Sequence, residues 1–266
     1  RQRQMCIRDS VYKKEAGLGI ITLNQPNVLN ALNAKAYEEL YEVAELADQD
    51  DGIQVLIFHG AGRGFCAGDN ITDGDLLKKR TSMGAYQYIL GLQRVFNRIE
   101  SIKKPVIAAI HGAACGGGLE LALVCDIRIA AESARLGLPE LKLGALPCIG
   151  GTQRLPRLIG TAKTKELLFT GKLLPAVEAE RLGIINQVVP DGRELEEAVS
   201  MANVIKERSS LALHMAKAAV DQGRNHDLYT ALEIEARNDA MLFDTADFRE
   251  GMLAFSEKRP PVFRGR

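Results

Sequence analysis

The chain has 266 residues, enough for one large domain or a domain with an appendage. Hydrophobic residues make up 46% and charged residues 26%, an ordinary balance for a soluble globular fold, and no run approaches the roughly 18 apolar residues of a membrane-spanning helix. Lys plus Arg and Asp plus Glu both total 34, so the basic footprint of a nucleic-acid binder is absent from the totals; a few local cations would still suffice for the phosphates of a small ligand.

Residues 1–10, RQRQMCIRDS, are polar, lack the apolar core of a secretory signal and resemble a translated sequencing-adapter tail. They are set aside as a non-native or disordered segment, with the true N-terminus lost or replaced, and a cytoplasmic location is expected. Gly17 to Asn24 predicts a strand around Ile20, Ile21 and Leu23. Asn33 predicts the N-cap of a helix from Ala34 to Gln49, whose Leu40, Val43, Ala44 and Ala47 fall at helical spacing. Val55 to His59 predicts a short strand that runs into a small-residue loop, Gly60 to Asn70. A helix from Ala85 to Ile99, a strand from Val106 to Ile110, the glycine run Gly116 to Gly118, a short apolar helix and a strand from Asp126 to Ala130 follow. Pro175 and Gly183 frame another helix. Alternation to about Pro190 argues an α/β core, 11–190, of repeated β-β-α or β-α units, and 191–266 predicts a helical region with Gly223 as its clear break.

Several common chemistries lack their motifs. GxxxxGK[ST], HExxH and GxSxG are missing, and Gly60, Gly62 and Gly64 do not fit GxGxxG. Cys6, Cys66, Cys115, Cys125 and Cys148 show no CxxC pairing and read as reduced cysteines. His59, His111, His214 and His226 are scattered without metal-ligand spacing, so no metal is expected. Chemistry by carboxylates and backbone amides remains.

Two segments suit such chemistry. In IHGAACGGGLELALVCD, Ile110 to Asp126, a strand gives way to three glycines and an apolar helix with Glu120 in its first turn. Glycines let backbone approach a ligand, and the free N–H groups of a helix N-terminus can meet an oxygen that gains negative charge. Glu120 itself has two readings at this point, a charge placed well against the helix dipole or a catalytic acid. The second segment is FCAGDN, Phe65 to Asn70, either an ordinary tight turn or a second source of N–H donors.

GGGLELALVCDIRIA followed by LGLPELKLGALPCIGGTQRLPRLIG resembles the signature of the enoyl-CoA hydratase/isomerase (crotonase) superfamily, and LNQPNVLNALN, FCAGDNI and AFSEKRPPVF extend the resemblance from Val11 to Arg266. It implies a crotonase-like spiral of β-β-α repeats, ending in a C-terminal helical region that assembles a homotrimer or a dimer of trimers. It implies an acyl-CoA substrate, with coenzyme A part of that substrate and no separate cofactor. The resemblance makes Glu120 and Glu140 the catalytic pair, and Ala67 and Gly117 the two amides of an oxyanion hole. Ala67, Gly68, Asp69, Asn70, Gly116, Cys148 and Lys258 would contact substrate. Because isomerases of the family typically keep one working acid in a comparable place, the retained pair favours hydration of a trans-2-enoyl-CoA. Isomerisation, or hydration of a cyclic or dienoyl thioester, is the alternative.

The match has departures. Gln25 and Asn27 stand where relatives often carry basic residues near the CoA, which leaves Lys258 and Arg259 as the phosphate contacts. Cys148 replaces the first glycine of PGxGGTQ; its backbone N–H persists, but a side chain can crowd the site. The loop and helix around Asp73 to Tyr88 are expected to shape the acyl-tail pocket. A binding protein that has lost its chemistry, or recruits RNA, is disfavoured by the zero net charge and intact acids.

Overall fold

The computed structural model describes residues 4–6, 9–72 and 81–265. Strands β1 (Gln4–Cys6), β2 (Ser10–Glu15) and β3 (Leu18–Leu23) form an antiparallel meander. Part of the segment set aside at 1–10 therefore joins the sheet, with Gln4 opposite Lys13 and Cys6 opposite Val11. Helix α1 spans Ala34–Gln49, and the Asn33 side chain accepts a hydrogen bond from the Ala36 N–H, as its N-cap position requires. β4 (Val55–Gly60), α2 (Ser82–Glu100), β5 (Val106–Ile110), β6 (Ala113–Cys115), α3 (Gly117–Leu123) and β7 (Ile127–Ala131) follow.

Beyond these lie β8 (Arg135–Gly137), helices α4 (Gly151–Ile159) and α5 (Thr161–Thr170), β9 (Leu174–Pro175), α6 (Ala176–Arg181) and β10 (Gln187–Val189). Among the described residues, seven strands form one sheet in the order β1-β2-β3-β4-β5-β7-β10, parallel from β3 onward. A smaller sheet has the order β6-β8-β9. Its strands are two or three residues long, too short for a period of two to register in sequence.

Both faces of the parallel sheet are covered, which explains the uninterrupted apolar runs of β4 and β5. Leu56, Phe58, Ala108 and Ile110 face the main core with α1 and α2. Val55, Ile57, Ile107 and Ala109 face the other way, against Ala198 and Ala202 of helix α7 (Glu194–Lys206). An isolated bridge between Cys66 and Ala114 ties the loop after β4 to β6, and so brings the two small-residue segments side by side. Arg128 on β7 is buried and donates to the carbonyls of Ala122, Cys125 and Ile184, fixing the C-terminal end of α3 with a cation, where a helix favours one.

The C-terminal region continues as α8 (Ser210–Gly223), α9 (Leu228–Ala240) and α10 (Ala246–Glu257). Gly223 is a break as expected. Two more fall before the N-caps Ser209 and Thr245, and Asp227 caps α9. No residue of α8 is fully buried, and Leu211, Met215, Ala218 and Ala219 are half-buried. No helix among the described residues is long and apolar enough to cross a membrane.

Candidate active site

Gly118 explains the glycine run first: a Cβ there would lie 2.1 Å from the Cys66 carbonyl oxygen, so only glycine lets the start of α3 pack against the FCAGDN loop. Gly116 precedes the helix with φ +55°, and a Cβ on it would lie 3.0 Å from Glu140 Oε1. These constraints put Glu120 on the first turn of a buried helix, but its side chain does not cap that helix. Glu120 Oε1 instead accepts hydrogen bonds from the Ile149 N–H (2.8 Å) and the Gly151 N–H (2.7 Å), while Oε2 has no partner among the described residues. The residue is 2% exposed, and no cation among the described residues pairs with it. Burial pushes its carboxyl up to about 7; the Gly151 amide opposes the shift, Glu140 adds to it, and the Ile149 amide opposes it.

Glu140 opens a 3-10 turn, Glu140–Leu143, and its Oε2 is buried without a hydrogen-bond partner among the described residues. Burial raises this carboxyl too, and Asp69 adds to the effect. Asp69 is a third acid here. Its Oδ1 accepts a 2.5 Å hydrogen bond from the buried Tyr37 hydroxyl, and its carboxyl is raised by burial, with the Tyr37 bond opposing. Three carboxyl groups with no cation among them therefore share one region, where each favours protonation of the others.

The Ala67 amide of the expected pair is engaged elsewhere. The Ala67 N–H donates to the Leu29 carbonyl oxygen at 3.0 Å, so it is not available to a substrate oxygen, and Ala67 is corrected as a donor. The N–H groups of Asp69 and Gly117 have no hydrogen-bond partner among the described residues, and the Asp69 nitrogen lies 3.7 Å from the place a Cβ would take on Gly117. The neighbouring pair is therefore Asp69 and Gly117. Gly68 between Ala67 and Asp69 has φ +97°, a left-handed turn of the loop that makes the amides on its two sides point differently. A cavity of about 400 Å³ opens here, lined by Val28, Ala67, Asp69, Gly116, Gly117 and Glu140, among others. Larger cavities run along α8, away from the carboxyl cluster, so volume alone does not mark the site.

Residues 13–266 match the family model described as enoyl-CoA hydratase/isomerase. The chain belongs to the enoyl-CoA hydratase/isomerase family. It is similar to a crotonyl-CoA hydratase of Syntrophomonas wolfei, 40% identical over 97% of this chain and 99% of that protein. A short-chain-enoyl-CoA hydratase of Clostridium acetobutylicum is 40% identical over 96% of this chain and 97% of its own length. The solved structure of an enoyl-CoA hydratase from Bacillus anthracis superimposes with a TM-score of 0.92 at 36% identity, covering 97% of this chain and all of that one.

The remaining residues expected from membership of the hydratase/isomerase family fall at several places. Gly68 and Asn70 line the cavity beside Gly116, and Asn70 Oδ1 accepts from the Thr72 N–H and hydroxyl. Cys148 is half-buried; its carbonyl accepts from Gln93 Nε2 at 2.7 Å. Burial pushes its thiol up to about 12, and Glu120, Asp69 and Glu140 add to the shift, which places this side chain in the field of all three acids. It is a poor nucleophile there. Lys258 caps α10 in the left-handed conformation, exposed and without an ion pair among the described residues, and does not line the cavity. Arg259 is engaged by Glu250 and Glu257, so Lys258 is the uncommitted cation of the two. Asp73 to Arg80, most of the loop expected to shape the tail pocket, lie outside the described residues. Sequence reasoning missed Tyr37 and the Ile149 and Gly151 amides; the signal was GG in CIGGTQ, where a Cβ on Gly151 would come within 3.1 Å of Glu120 Oε1.

Proposed function

We propose that the protein hydrates a trans-2-enoyl-CoA to the 3-hydroxyacyl-CoA. The carrying observation is the state of Glu120: one carboxyl oxygen is anchored by two amides, the other has no partner among the described residues, and the group is raised to about 7. A carboxyl that titrates near neutrality can both accept and return a proton at working pH. In this reading Glu120 takes a proton from the water whose oxygen bonds to C3, and Glu140 delivers a proton to C2. The thioester carbonyl oxygen, which becomes an enolate oxygen as C3 is attacked, accepts from the Asp69 and Gly117 N–H groups. Each backbone donor contributes about 3 kcal/mol to such a transition state.

The names of the relatives support a short enoyl-CoA as the substrate, and the site residues support it by their chemistry. No separate cofactor enters these steps. Lys258 is proposed as a contact to the CoA phosphates. The apolar residues exposed along the C-terminal helices, among them Tyr229, Met252 and Phe255, suit a homotrimer or a dimer of trimers. Cys148 supports a second reading, double-bond isomerisation or hydration of a cyclic or dienoyl thioester, because its side chain takes room beside the acids that a glycine would leave to water.

The test follows the loss of conjugated thioester absorbance from crotonyl-CoA. The parent is expected to turn over, and Glu120→Gln and Glu140→Gln are each expected to lose about 10²-fold or more. Near-parental turnover in either variant removes that residue from the mechanism. A parent that ignores crotonyl-CoA but converts a 3-enoyl-CoA to the 2-enoyl-CoA establishes the isomerase reading instead.

A further inference from the structure

On the sheet face opposite the main core, two histidines and a glutamate meet. His59 on β4 follows Val55 and Ile57 on the side that faces α7, and His111, just beyond β5, follows Ile107 and Ala109 on the same side. Glu194, the first residue of α7, closes the group from above. One ligand atom from each of the three lies within 4.8 Å of the others, and the imidazole rings sit 4.9 Å apart, centre to centre.

Three buried atoms in this group, His59 Nδ1, His111 Nδ1 and Glu194 Oε2, have no hydrogen-bond partner among the described residues. Such atoms are rarely left unpaired in a folded protein. Glu194 is only 5% exposed, and its nearest approach to His111, 3.6 Å, is too long for a hydrogen bond. The dipole of α7 accounts for an acid at its start, but it does not account for two imidazole nitrogens turned toward that acid.

The tautomer of His111 is decisive. Its Nε2 lies 3.1 Å from the Gly62 carbonyl oxygen, which can only accept, so Nε2 carries a hydrogen, and the tautomer this selects for the neutral ring has its lone pair at Nδ1. A ring N–H given to a backbone carbonyl is the usual orientation of a metal-bound histidine.

We infer that His59, His111 and Glu194 form a site for one divalent ion of the zinc class, separate from the acyl-CoA chemistry. Two imidazoles and a carboxylate are a donor set of borderline softness that suits Zn²⁺ and leaves a position for water. An ion held there ties the first turn of α7 to the ends of β4 and β5, the roots of the two loops that carry the Asp69 and Gly117 amides. Its effect is therefore on the stability of that frame more than on the proton transfers.

The experiment titrates the full-length, chelator-treated protein with ZnCl₂ alone by calorimetry and melts it with and without the metal. One zinc per chain and a raised melting temperature are expected. In His59→Gln and Glu194→Gln the affinity should fall at least about 10-fold while crotonyl-CoA turnover stays near parental. X-ray absorption of the parent zinc complex serves even if the variants fold poorly: a first shell of nitrogen and oxygen with imidazole scattering is expected. Binding below one equivalent, affinity unchanged in both variants, or sulfur in the first shell from the free thiols would overturn the inference.

Discussion

Two glutamates twenty residues apart, Glu100 and Glu120, show what separates a structural carboxylate from a reactive one. Glu100, at the end of α2, is partly buried and would be raised by that burial, but Arg154 (2.6 Å) and Arg224 (2.7 Å) outweigh it and hold the carboxyl below its ordinary value. Glu120 is more deeply buried, receives two amides and no cation among the described residues, and is raised to about 7. The first arrangement joins α2, α4 and α8 through a neutralised node. The second keeps a group undecided between charged and neutral, which costs stability but suits proton transfer.

This contrast predicts opposite pH behaviour. The Glu120 carboxyl titrates near 7 in the folded chain and near 4.5 unfolded, so the native state holds the extra proton between these values and loses stability as pH rises through that window. Glu120→Gln removes the titration and keeps an oxygen for the Ile149 and Gly151 amides. Between about pH 4 and pH 8 the stability of the variant relative to the parent should rise by roughly 2–4 kcal/mol, as read from urea midpoints. A difference that stays flat with pH would mean that burial does not perturb this group.

Glu100→Gln should do the reverse on a smaller scale. A depressed carboxyl contributes stability that is present above the unfolded value and lost as pH falls through the folded one. At neutral pH the variant should lose about 1–3 kcal/mol, because Arg154 and Arg224 lose their charged partner, and the loss should shrink in acid. Turnover per folded molecule should be unchanged. A loss of turnover without a loss of stability would place Glu100 in the chemistry and erase the distinction.

Much of this was legible in the residues. Asn33 marked the start of α1 to the residue because a cap is a local signal, and GGGLE marked α3 because crowding against Cys66 demands glycine. Glu140 came only through resemblance, since a Pro-Glu pair before a 3-10 turn carries no period. The choice between the Ala67 and Asp69 amides depends on the φ of Gly68 and on the Leu29 carbonyl, neither of which sequence displays. His59, His111 and Glu194 looked scattered because the sheet register, not their spacing, brings them together.

The most direct measurement is an infrared titration of the carbonyl stretch of protonated carboxyl groups, parent minus Glu120→Gln, from about pH 4 to about pH 9. One band present in acid should vanish with a midpoint near 7. A band lost near 4.5, the ordinary glutamate value, would contradict the claim that burial without a cation makes Glu120 the proton carrier.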